Sequence, residues 1–486
     1  MKKILFAASE AVPFIKTGGL ADVVGSLPKA FNREEFDVRV VLPFYRKIPW
    51  KYREKCEYVL NYYVEVAGQW IYAGVFQLKM DGVTFYFIDN EYYFSGERIY
   101  EDGLWDLEKF AYFSKAALLM CSVIGFRPDI IHCHDWQTGL IPVYLKNEFW
   151  DYGRYGDFYQ GIKTIMTIHN LKFQGTWNID DMMRVTGLGE YLFTSDKLEA
   201  YHNGNYLKGG LVYADWITTV SSVYADEIKY PFYGEGLDGL MRARSGNLTG
   251  IVNGIDYKEY DPQTDPNIFN NYSLENVEEM KRKNKLALQE ELGLRQDPDI
   301  FTVGLVSRLT GQKGLDLIEC VMEEICAPDL QFVILGTGEP RYENMFRYYE
   351  WKYKDRVSSS IMYDNTRSHR IYASCDAFLM PSLFEPCGLS QLMSMRYGTL
   401  PIVRETGGLK ETVQPYNEID GTGTGFSFAN YNAHEMLYTI QYAKSVYYGH
   451  RCEWNKMVER AMKEDYSWQN SARQYEELYR MMTWAE

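Results

Sequence analysis

The sequence predicts an α/β protein made of two doubly wound domains, and three observations predict it. Short apolar runs alternate with helical spacings through both halves of the 486 residues. A strand–loop–helix unit carrying Thr-Gly-Gly-Leu-x-acid occurs twice, at 17–22 and 406–411. Between the halves, residues 260–271 are rich in Asp, Pro and Asn and read as a linker. The expected domains are 1–250 and 251–466, both Rossmann-like, followed by a C-terminal helix, 467–486, that packs back on the first domain.

Composition narrows the function classes. Hydrophobic residues at 46% and charged residues at 24% describe an ordinary globular chain, long enough for two or three domains with ample core. A net charge of −15 disfavours nucleic acid or an anionic membrane as main partner. It leaves a neutral polymer, or a small anion held by a local basic pocket. The 41 Tyr and 11 Trp supply rings that can stack on sugar faces. Eight Cys without a C-x-x-C pair argue for a reducing compartment over a disulfide framework. The opening Met-Lys-Lys imitates a signal peptide, but its apolar run covers only 4–8 and Glu10 interrupts it, so a first strand is expected. No apolar run approaches the ~18 residues of a membrane span. A cytoplasmic location is expected.

In chain order, residues 4–8 read as a buried parallel strand. The loop after it holds Lys16, Gly18 and Gly19, and then Leu20, Val23, Val24, Leu27 and Phe31 recur at helical spacing. Residues 37–42 form the second strand. The loop lacks G-x-G-x-x-G, so a dinucleotide fingerprint is absent. Two adjacent glycines still let backbone N–H groups approach a phosphate, and Lys16 adds a charge. Residues 129–136 form another strand running into a loop. His132 and His134, two apart, face the same side of it. With no third ligand of suitable spacing they read as the polar end of a cleft strand, not as a metal site. A strand at 163–168 ends in His169-Asn170, and ligands of such sheets sit beyond the carboxyl ends of strands. A helical pattern at 205–214, a strand at 216–220, and a strand and turn at 251–256 complete this half.

In the second half a charged helix is expected at about 273–292, with Glu278–Arg282 and Glu279–Lys283 at i,i+4 spacing on a solvated face. Asp297-Pro298-Asp299 formally matches the Asp-x-Asp of metal-dependent sugar transferases, but lies in a turn and reads as chance. A strand at 301–307 leads to a glycine loop bearing Arg308 and Lys313. Two cations five residues apart at a strand's carboxyl end can reach one diphosphate together. Strands follow at 332–335, 360–363 and 376–380. After the last come Glu385, Pro386, Cys387 and Gly388, then a helical pattern from Leu389. A helix starting there aims N–H groups at the turn, and Glu385 is expected at its rim, free to accept hydroxyls. That combination suits a sugar attached to a phosphate. A strand at 399–403 precedes the second Thr-Gly-Gly-Leu, and Trp468, Tyr475, Leu478 and Met482 mark the terminal helix.

Taken in register, the motifs resemble the bacterial glycogen synthase and plant starch synthase family, retaining glycosyltransferases of the two-domain GT-B fold. The resemblance is carried by Lys16-Thr-Gly-Gly-Leu-Ala-Asp-Val-Val24, His134-Asp-Trp136, His169-Asn170, Gly250-Ile-Val-Asn-Gly-Ile-Asp256 and Ser307-Arg-Leu-Thr-Gly-Gln-Lys-Gly314. Glu385-Pro-Cys-Gly-Leu389 and Tyr397-Gly-Thr-Leu-Pro401 through Thr406-Gly-Gly-Leu409 complete it. It implies transfer of glucose from ADP-glucose to the non-reducing end of an α-1,4-glucan with retention, no metal and no cofactor, and two domains facing across a deep cleft. By matching position, Arg308 and Lys313 bind the diphosphate, while Glu385, Cys387, Gly388 and Leu389 surround the glucosyl group. His169 contacts that glucose, its backbone carbonyl near the anomeric carbon. Lys16, Gly18 and Gly19 reach the donor, Asp135 and Asn253 line the same cleft, and Tyr363 lies against the adenine. Chemistry alone allows a covalent role for Glu385; the resemblance favours front-face attack. A glucan phosphorylase would need a pyridoxal-phosphate lysine, for which there is no motif. A non-catalytic relative should have lost Lys313 or Glu385.

Overall fold

The computed structural model describes residues 1–101 and 103–483, and the chain divides into two compact units. The first holds residues 1–220, 225–251 and the segment from 468 onward; the second holds 221–224 and 252–467. The expected boundary at 250 therefore moves by one residue, and a four-residue piece crosses to the second unit. The end of the expected tail, 484–486, lies outside the described residues.

In the first unit the strands are β1 (Lys2–Ala7), β2 (Phe36–Pro43), β3 (Glu57–Val66), β4 (Gln69–Met80), β5 (Val83–Asp89), β6 (Ile130–His134) and β7 (Lys163–Ile168). Then come β8 (Thr176–Asn178), β9 (Glu199–Ala200), β10 (Asn203–Asn205), β11 (Trp216–Thr219) and β12 (Leu248–Gly250). One nine-stranded sheet runs β12-β11-β7-β6-β1-β2-β5-β4-β3; β8, β10 and β9 form a small separate sheet. From β12 to β5 every pairing is parallel. Both faces of those strands are covered, which is why Ile4 to Ala7 are all apolar and all buried. At β4 the direction reverses: β4 is antiparallel to both β5 and β3. Here one face is solvated, so Tyr62, Val64 and Val66 are buried while Tyr63 is exposed. This extension, 57–89, lies outside the expected alternation of strands and helices.

The second unit is a six-stranded sheet, all parallel, built from β13 (Phe301–Val306), β14 (Leu330–Leu335), β15 (Val357–Ser360), β16 (Ala377–Met380), β17 (Leu400–Arg404) and β18 (Phe426–Phe428). Its order is β15-β14-β13-β16-β17-β18. Each sheet thus has a switch point where the winding reverses, between β1 and β6 in the first unit and between β13 and β16 in the second. Loops leaving strands there turn away from each other and open a crevice at the carboxyl ends.

Several expected elements move. The strand read at 251–256 is β12, just before it, and residues 251–254 are irregular. The strand read at 360–363 is β15, which stops at Ser360 so that residues 361–364 form a loop. The charged helix spans Val277–Leu292, because Asn276 accepts the Ser273 N–H in a turn ahead of it. Its Glu279–Lys283 pair forms at 2.7 Å, but Arg282 reaches Asp299 and not Glu278. Nor is its surface simply solvated. Lys281 and Lys285 are buried, Lys281 on the Thr399 hydroxyl at 2.7 Å and Lys285 on Asp376 at 2.6 Å.

The terminal helix, Trp468–Thr483, belongs to the first unit and buries Trp468, Tyr475, Leu478 and Tyr479. The Tyr479 ring stacks on Phe31, with centroids 5.5 Å apart, and its hydroxyl shares a 2.7 Å hydrogen bond with His132 Nδ1 on β6. Arg480 makes two hydrogen bonds to Glu35, at 2.7 and 2.6 Å. We predict that Tyr479→Phe, which leaves a buried imidazole nitrogen without its partner, lowers stability by about 1–3 kcal/mol. Thermal unfolding should show a melting temperature lower by a few degrees; an unchanged one would mean that His132 does not depend on this hydroxyl.

Candidate active site

In the first unit the loop after β1 is organised by a buried carboxylate. Glu10 is only 3% exposed. It accepts the backbone N–H and the hydroxyl of Thr17, the latter at 2.7 Å, and the hydroxyl of Tyr100 at 2.7 Å. These bonds fix the start of the glycine loop, so the following helix, Gly19–Ala30, begins in a set place. Lys16 is exposed and pairs with Asp22 at 2.7 Å. Gly18 and Gly19 border open space: a Cβ built on either meets nothing within 4 Å. Packing therefore does not demand glycine at these two positions, whereas close approach of a ligand would.

At the ends of β6 and β7 sits a chain of neutral imidazoles. His132 and His134 stack, with ring centroids 4.5 Å apart, and His134 Nδ1 lies 2.9 Å from His169 Nε2. His132 Nε2 is taken by the Thr167 hydroxyl at 2.5 Å. Burial pushes His132 and His169 each down to about 3, so these rings stay uncharged near neutral pH. His169 consequently offers a neutral ring and backbone groups, not a cation. Among the described residues, no group of three or more His, Cys, Asp or Glu is placed to hold a metal ion. Asp135 is buried, and its carboxylate accepts the His169 backbone N–H at 2.7 Å. Its φ of 56° with ψ of −175° is a conformation open mainly to glycine, strain of the kind that surrounding structure must enforce. Burial raises its carboxyl to about 7 despite the hydrogen bonds to it.

In the second unit Lys313 meets Glu385, and the Asn253 backbone meets Cys387 beside Gly388 and Leu389, while Arg308 stands on the same loop as Lys313. The loops after β13 and β16 touch because residue 314 is glycine. It has φ 72°, and a Cβ there would stand 2.0 Å from the Pro381 carbonyl oxygen. The Leu383 N–H then donates to the Gln312 carbonyl at 2.9 Å, and Lys313 Nζ reaches Glu385 Oε2 at 2.6 Å. The Ser382 hydroxyl donates to the same oxygen at 3.0 Å. Glu385 is thus not the free rim carboxylate expected from sequence. It is 7% exposed and ion-paired, because the contact between the two loops carries it inward. Only Oε1 is left without a bond from the described residues. Arg308 stays exposed, and its guanidinium makes no hydrogen bond or ion pair with any described residue. Cys387 is buried, which pushes its thiol up to about 12, with a smaller opposing effect from the Asn253 backbone N–H. It packs as a neutral thiol and is no nucleophile.

The second Thr-Gly-Gly-Leu behaves unlike the first. A Cβ on Gly407 would stand 2.0 Å from the Glu385 carbonyl oxygen, and one on Gly408 equally close to that of Cys387. The Gly408 N–H donates to the Glu385 and Pro386 carbonyls at 3.1 and 3.2 Å. These glycines let one loop lie on another and so hold Glu385 from behind. Leu389 is the N-cap of a short helix, Ser390–Arg396, which starts one residue later than expected. Tyr363 is not drawn into this cluster. It lies on the loop after β15 and is 84% exposed.

Residues 3–243 match the family described as "Starch synthase catalytic domain", and residues 285–456 match "Glycosyl transferases group 1". A glycogen synthase of Lachnospira eligens is 67% identical over 99% of both chains. The chain belongs to the glycogen synthase family. Within that family the glycogen synthase of Clostridium acetobutylicum is 48% identical, covering 98% of this chain and 99% of its own. Among solved structures, the catalytic domain of starch synthase IV from Arabidopsis thaliana, bound to ADP and acarbose, superposes with a TM-score of 0.88. It is 32% identical and covers 99% of each chain. A sucrose-phosphate synthase from Thermosynechococcus elongatus, 18% identical over the whole of both chains with a TM-score of 0.64, shares the fold alone. The glycogen synthase family fold is GT-B, two α/β domains each built on a parallel sheet.

Two residues that sequence reasoning did not assign matter to this geometry, Glu10 and Ser382. Glu10 carried a signal, a carboxylate breaking an apolar run; Ser382 carried none beyond its place in a turn. The contrast between the glycine pairs gives a prediction. Gly18→Ala should leave the melting temperature unchanged, while Gly408→Ala should lower it by several degrees, since a backbone oxygen cannot yield the space. Equal melting temperatures would remove the distinction. Asp135 gives a second. Its folded pKa of about 7 lies above the ordinary 3.8, so between those values the folded state holds a proton that the unfolded chain has released. Stability from this group falls as pH rises through that window, opposite in sign to the neutral histidines. The melting temperature of the parent relative to Asp135→Asn should therefore drop from about pH 4 to about pH 8; a flat difference would place the carboxyl pKa near its ordinary value.

Proposed function

We propose that the chain transfers glucose from ADP-glucose to the non-reducing end of an α-1,4-glucan such as glycogen, with retention of configuration. The observation that carries the reading is the Lys313–Glu385 pair formed between two touching loops, one of which also bears the exposed Arg308, in a chain of the glycogen synthase family. Arg308 is assigned to the donor diphosphate. Lys313 spends one of its three donors on Glu385 and keeps the others for the same anion. Glu385 Oε1 accepts a hydroxyl of the glucosyl group, which Cys387, Gly388 and Leu389 enclose with their backbone. Lys16, Gly18 and Gly19 serve the donor through charge and open backbone, and Asp135 holds the His169 peptide so that its carbonyl supports the anomeric carbon. Asn253 backs the Cys387 loop, and Tyr363 offers an exposed ring to the adenine.

In the reaction the bond from the anomeric carbon to the diphosphate oxygen breaks. The acceptor 4-hydroxyl oxygen bonds to that carbon from the same face, and its proton passes to the departing phosphate oxygen. We assign Glu385 to orienting the sugar, since Lys313 and Ser382 already engage its Oε2. Charge building on the leaving ADP is met by Arg308, Lys313 and loop N–H groups, so the reading invokes neither metal nor cofactor. Preorganised donors of this kind commonly supply the largest share of catalysis. The free state of all eight cysteines supports a cytoplasmic setting. The net charge of −15 supports a neutral polymer as partner over nucleic acid. Among the described residues no helix is long and apolar enough to cross a membrane.

The deciding experiment is the initial rate of glucosyl transfer to glycogen from ADP-glucose and from UDP-glucose, with a chelator present. ADP-glucose should be strongly preferred and chelation should change nothing. Lys313→Ala and Glu385→Ala should each lower turnover at least ~10²-fold with an unchanged far-UV spectrum. Preference for UDP-glucose would overturn the role given to Tyr363, inhibition by the chelator would overturn metal independence, and near-normal turnover of either variant would overturn its assigned role.

A further inference from the structure

The histidine rings at the carboxyl ends of β6 and β7 differ in how their nitrogens are used. Both nitrogens of His132 are taken by hydroxyls, Nδ1 by Tyr479 at 2.7 Å and Nε2 by Thr167 at 2.5 Å. His134 spends Nδ1 on His169 Nε2 at 2.9 Å. Its own Nε2 is buried and has no partner among the described residues. His169 Nδ1 is neither buried nor bonded to any described residue. It stands at a strand end, where ligands of such sheets sit. The His134 ring is held firmly. Its backbone N–H donates to the Thr138 hydroxyl at 2.8 Å, and that hydroxyl lies 3.0 Å from the His134 carbonyl oxygen. The ring stacks on His132, with centroids 4.5 Å apart, and on Phe6, with centroids 5.2 Å apart.

The contact between His134 and His169 is an edge-to-edge hydrogen bond. Their ring centroids are 5.2 Å apart, which equals the 2.9 Å nitrogen separation plus one ring radius at either end. Both nitrogens therefore lie on the line joining the ring centres, the direction in which a ring N–H points. Burial keeps both rings neutral, so a single proton sits on that line. If His169 supplied it from Nε2, His134 would carry its own proton on Nε2 and bury an N–H with nothing to accept it. Orphaned buried N–H groups are rare in folded proteins. If His134 supplies it from Nδ1, the unpartnered atom is a bare lone pair and no donor is stranded. The bond made by one ring nitrogen sets the state of the other. His169 Nε2 accepts, so the proton of that ring is on Nδ1.

We propose that His134 is a positioning residue for glucosyl transfer: by donating from Nδ1 it fixes the Nδ1–H tautomer of His169, and the open nitrogen of His169 thereby becomes a hydrogen-bond donor to a hydroxyl of the glucosyl group. The inference rests on the proposed glucosyl transfer for the identity of that group. A sugar hydroxyl can donate or accept, so the tautomer of the ring beside it decides which it does. A histidine ring in water favours the Nε2–H form. Without the bond from His134, His169 reverts toward that form and presents a lone pair where a donor is needed. Asp135, the residue after His134, fixes the His169 peptide through its N–H at 2.7 Å. Adjacent residues of one loop thus set the backbone and the ring of His169 separately.

The test compares the parent with His134→Phe, which keeps a flat ring and removes the donor, and with His134→Asn, whose amide can stand in for Nδ1–H. The chain has seven histidines, so isotope labelling of their ring nitrogens and long-range nitrogen–proton correlation NMR reads each tautomer directly. A His169→Ala sample assigns the signals. Initial rates with glycogen give kcat/KM for ADP-glucose. The parent should show His169 protonated on Nδ1 and bare on Nε2, without any substrate present. His134→Phe should shift His169 toward Nε2–H and lower kcat/KM about tenfold, the loss of one neutral hydrogen bond. His134→Asn should keep the Nδ1–H form and most of the rate. A parent spectrum with the proton on Nε2 would overturn the proposal even if neither variant folds. So would rates that do not follow the tautomer across the three proteins, since loss of packing alone would slow a variant whose His169 keeps its proton on Nδ1. Absence of transfer by the parent would overturn the function reading instead, while the spectra would still decide which ring donates.

Discussion

The contact between Lys313 and Glu385 is the one on which the second unit's site depends. A bare carboxylate at 7% exposure would be costly, and so would a half-buried ammonium aimed at nothing. Their attraction, of order 4 kcal/mol for close charges near a protein surface, is largely offset by the water each has lost. The pair is therefore better understood as a positional device than as a source of stability. It fixes one carboxylate oxygen, leaves the other open, and holds the ammonium where an anion can share it. Its existence rests on backbone sterics at some distance from the charges. Gly314 allows the loop after β13 to approach the loop after β16, and Gly407 and Gly408 allow a third loop to close behind Glu385.

In the first unit the comparable device is polar and uncharged at its centre. The histidines that looked from the sequence like a polar strand end form a buried stack, each ring held by a hydroxyl or by another ring. Low pKa values follow from burial, and they keep positive charge away from the strand ends. Positive charge is supplied instead by Lys16 on a loop pinned through Thr17 to Glu10. The strained backbone of Asp135 lies in the same place, tying the ends of β6 and β7 together through the His169 N–H. The elevated carboxyl pKa of Asp135 follows from burying it at the carboxyl ends of two interior strands.

The first unit divides its sheet between two kinds of surface. Its parallel strands are covered on both faces, and their carboxyl ends carry the residues assigned to the donor. Its antiparallel strands have one free face, which parallel strands wound with helices cannot offer.

Much of this was legible in the primary sequence. Continuous apolar runs such as 4–7 reported parallel strands, helical spacing reported the covering helices, and glycine loops at strand ends reported where a phosphate-bearing ligand would bind. The repeated Thr-Gly-Gly-Leu reported two similar halves. Local signals of this sort survive folding because they reflect the backbone geometry of a few neighbouring residues. What the sequence could not decide were distances between residues far apart along it. The two Thr-Gly-Gly-Leu copies read alike, yet one borders open space and the other is wedged against carbonyl oxygens. Glu385 read as a free carboxylate because its partner lies 72 residues away. Strands β3 and β4 escaped notice because a sheet with one wet face alternates apolar and polar residues weakly here, with tyrosines on both sides. The helix bearing Glu279 and Lys283 read as having a solvated face, yet Lys281 and Lys285 on it are buried, since burial is set by what packs against a helix and not by the helix itself. Sequence alone therefore determined the fold class, the family resemblance and the loops that bear the site, all properties of short segments. Tertiary structure decided which charges are paired, which glycines are steric necessities and which aromatic face stays exposed, because each depends on which distant segments the fold brings within a few ångströms.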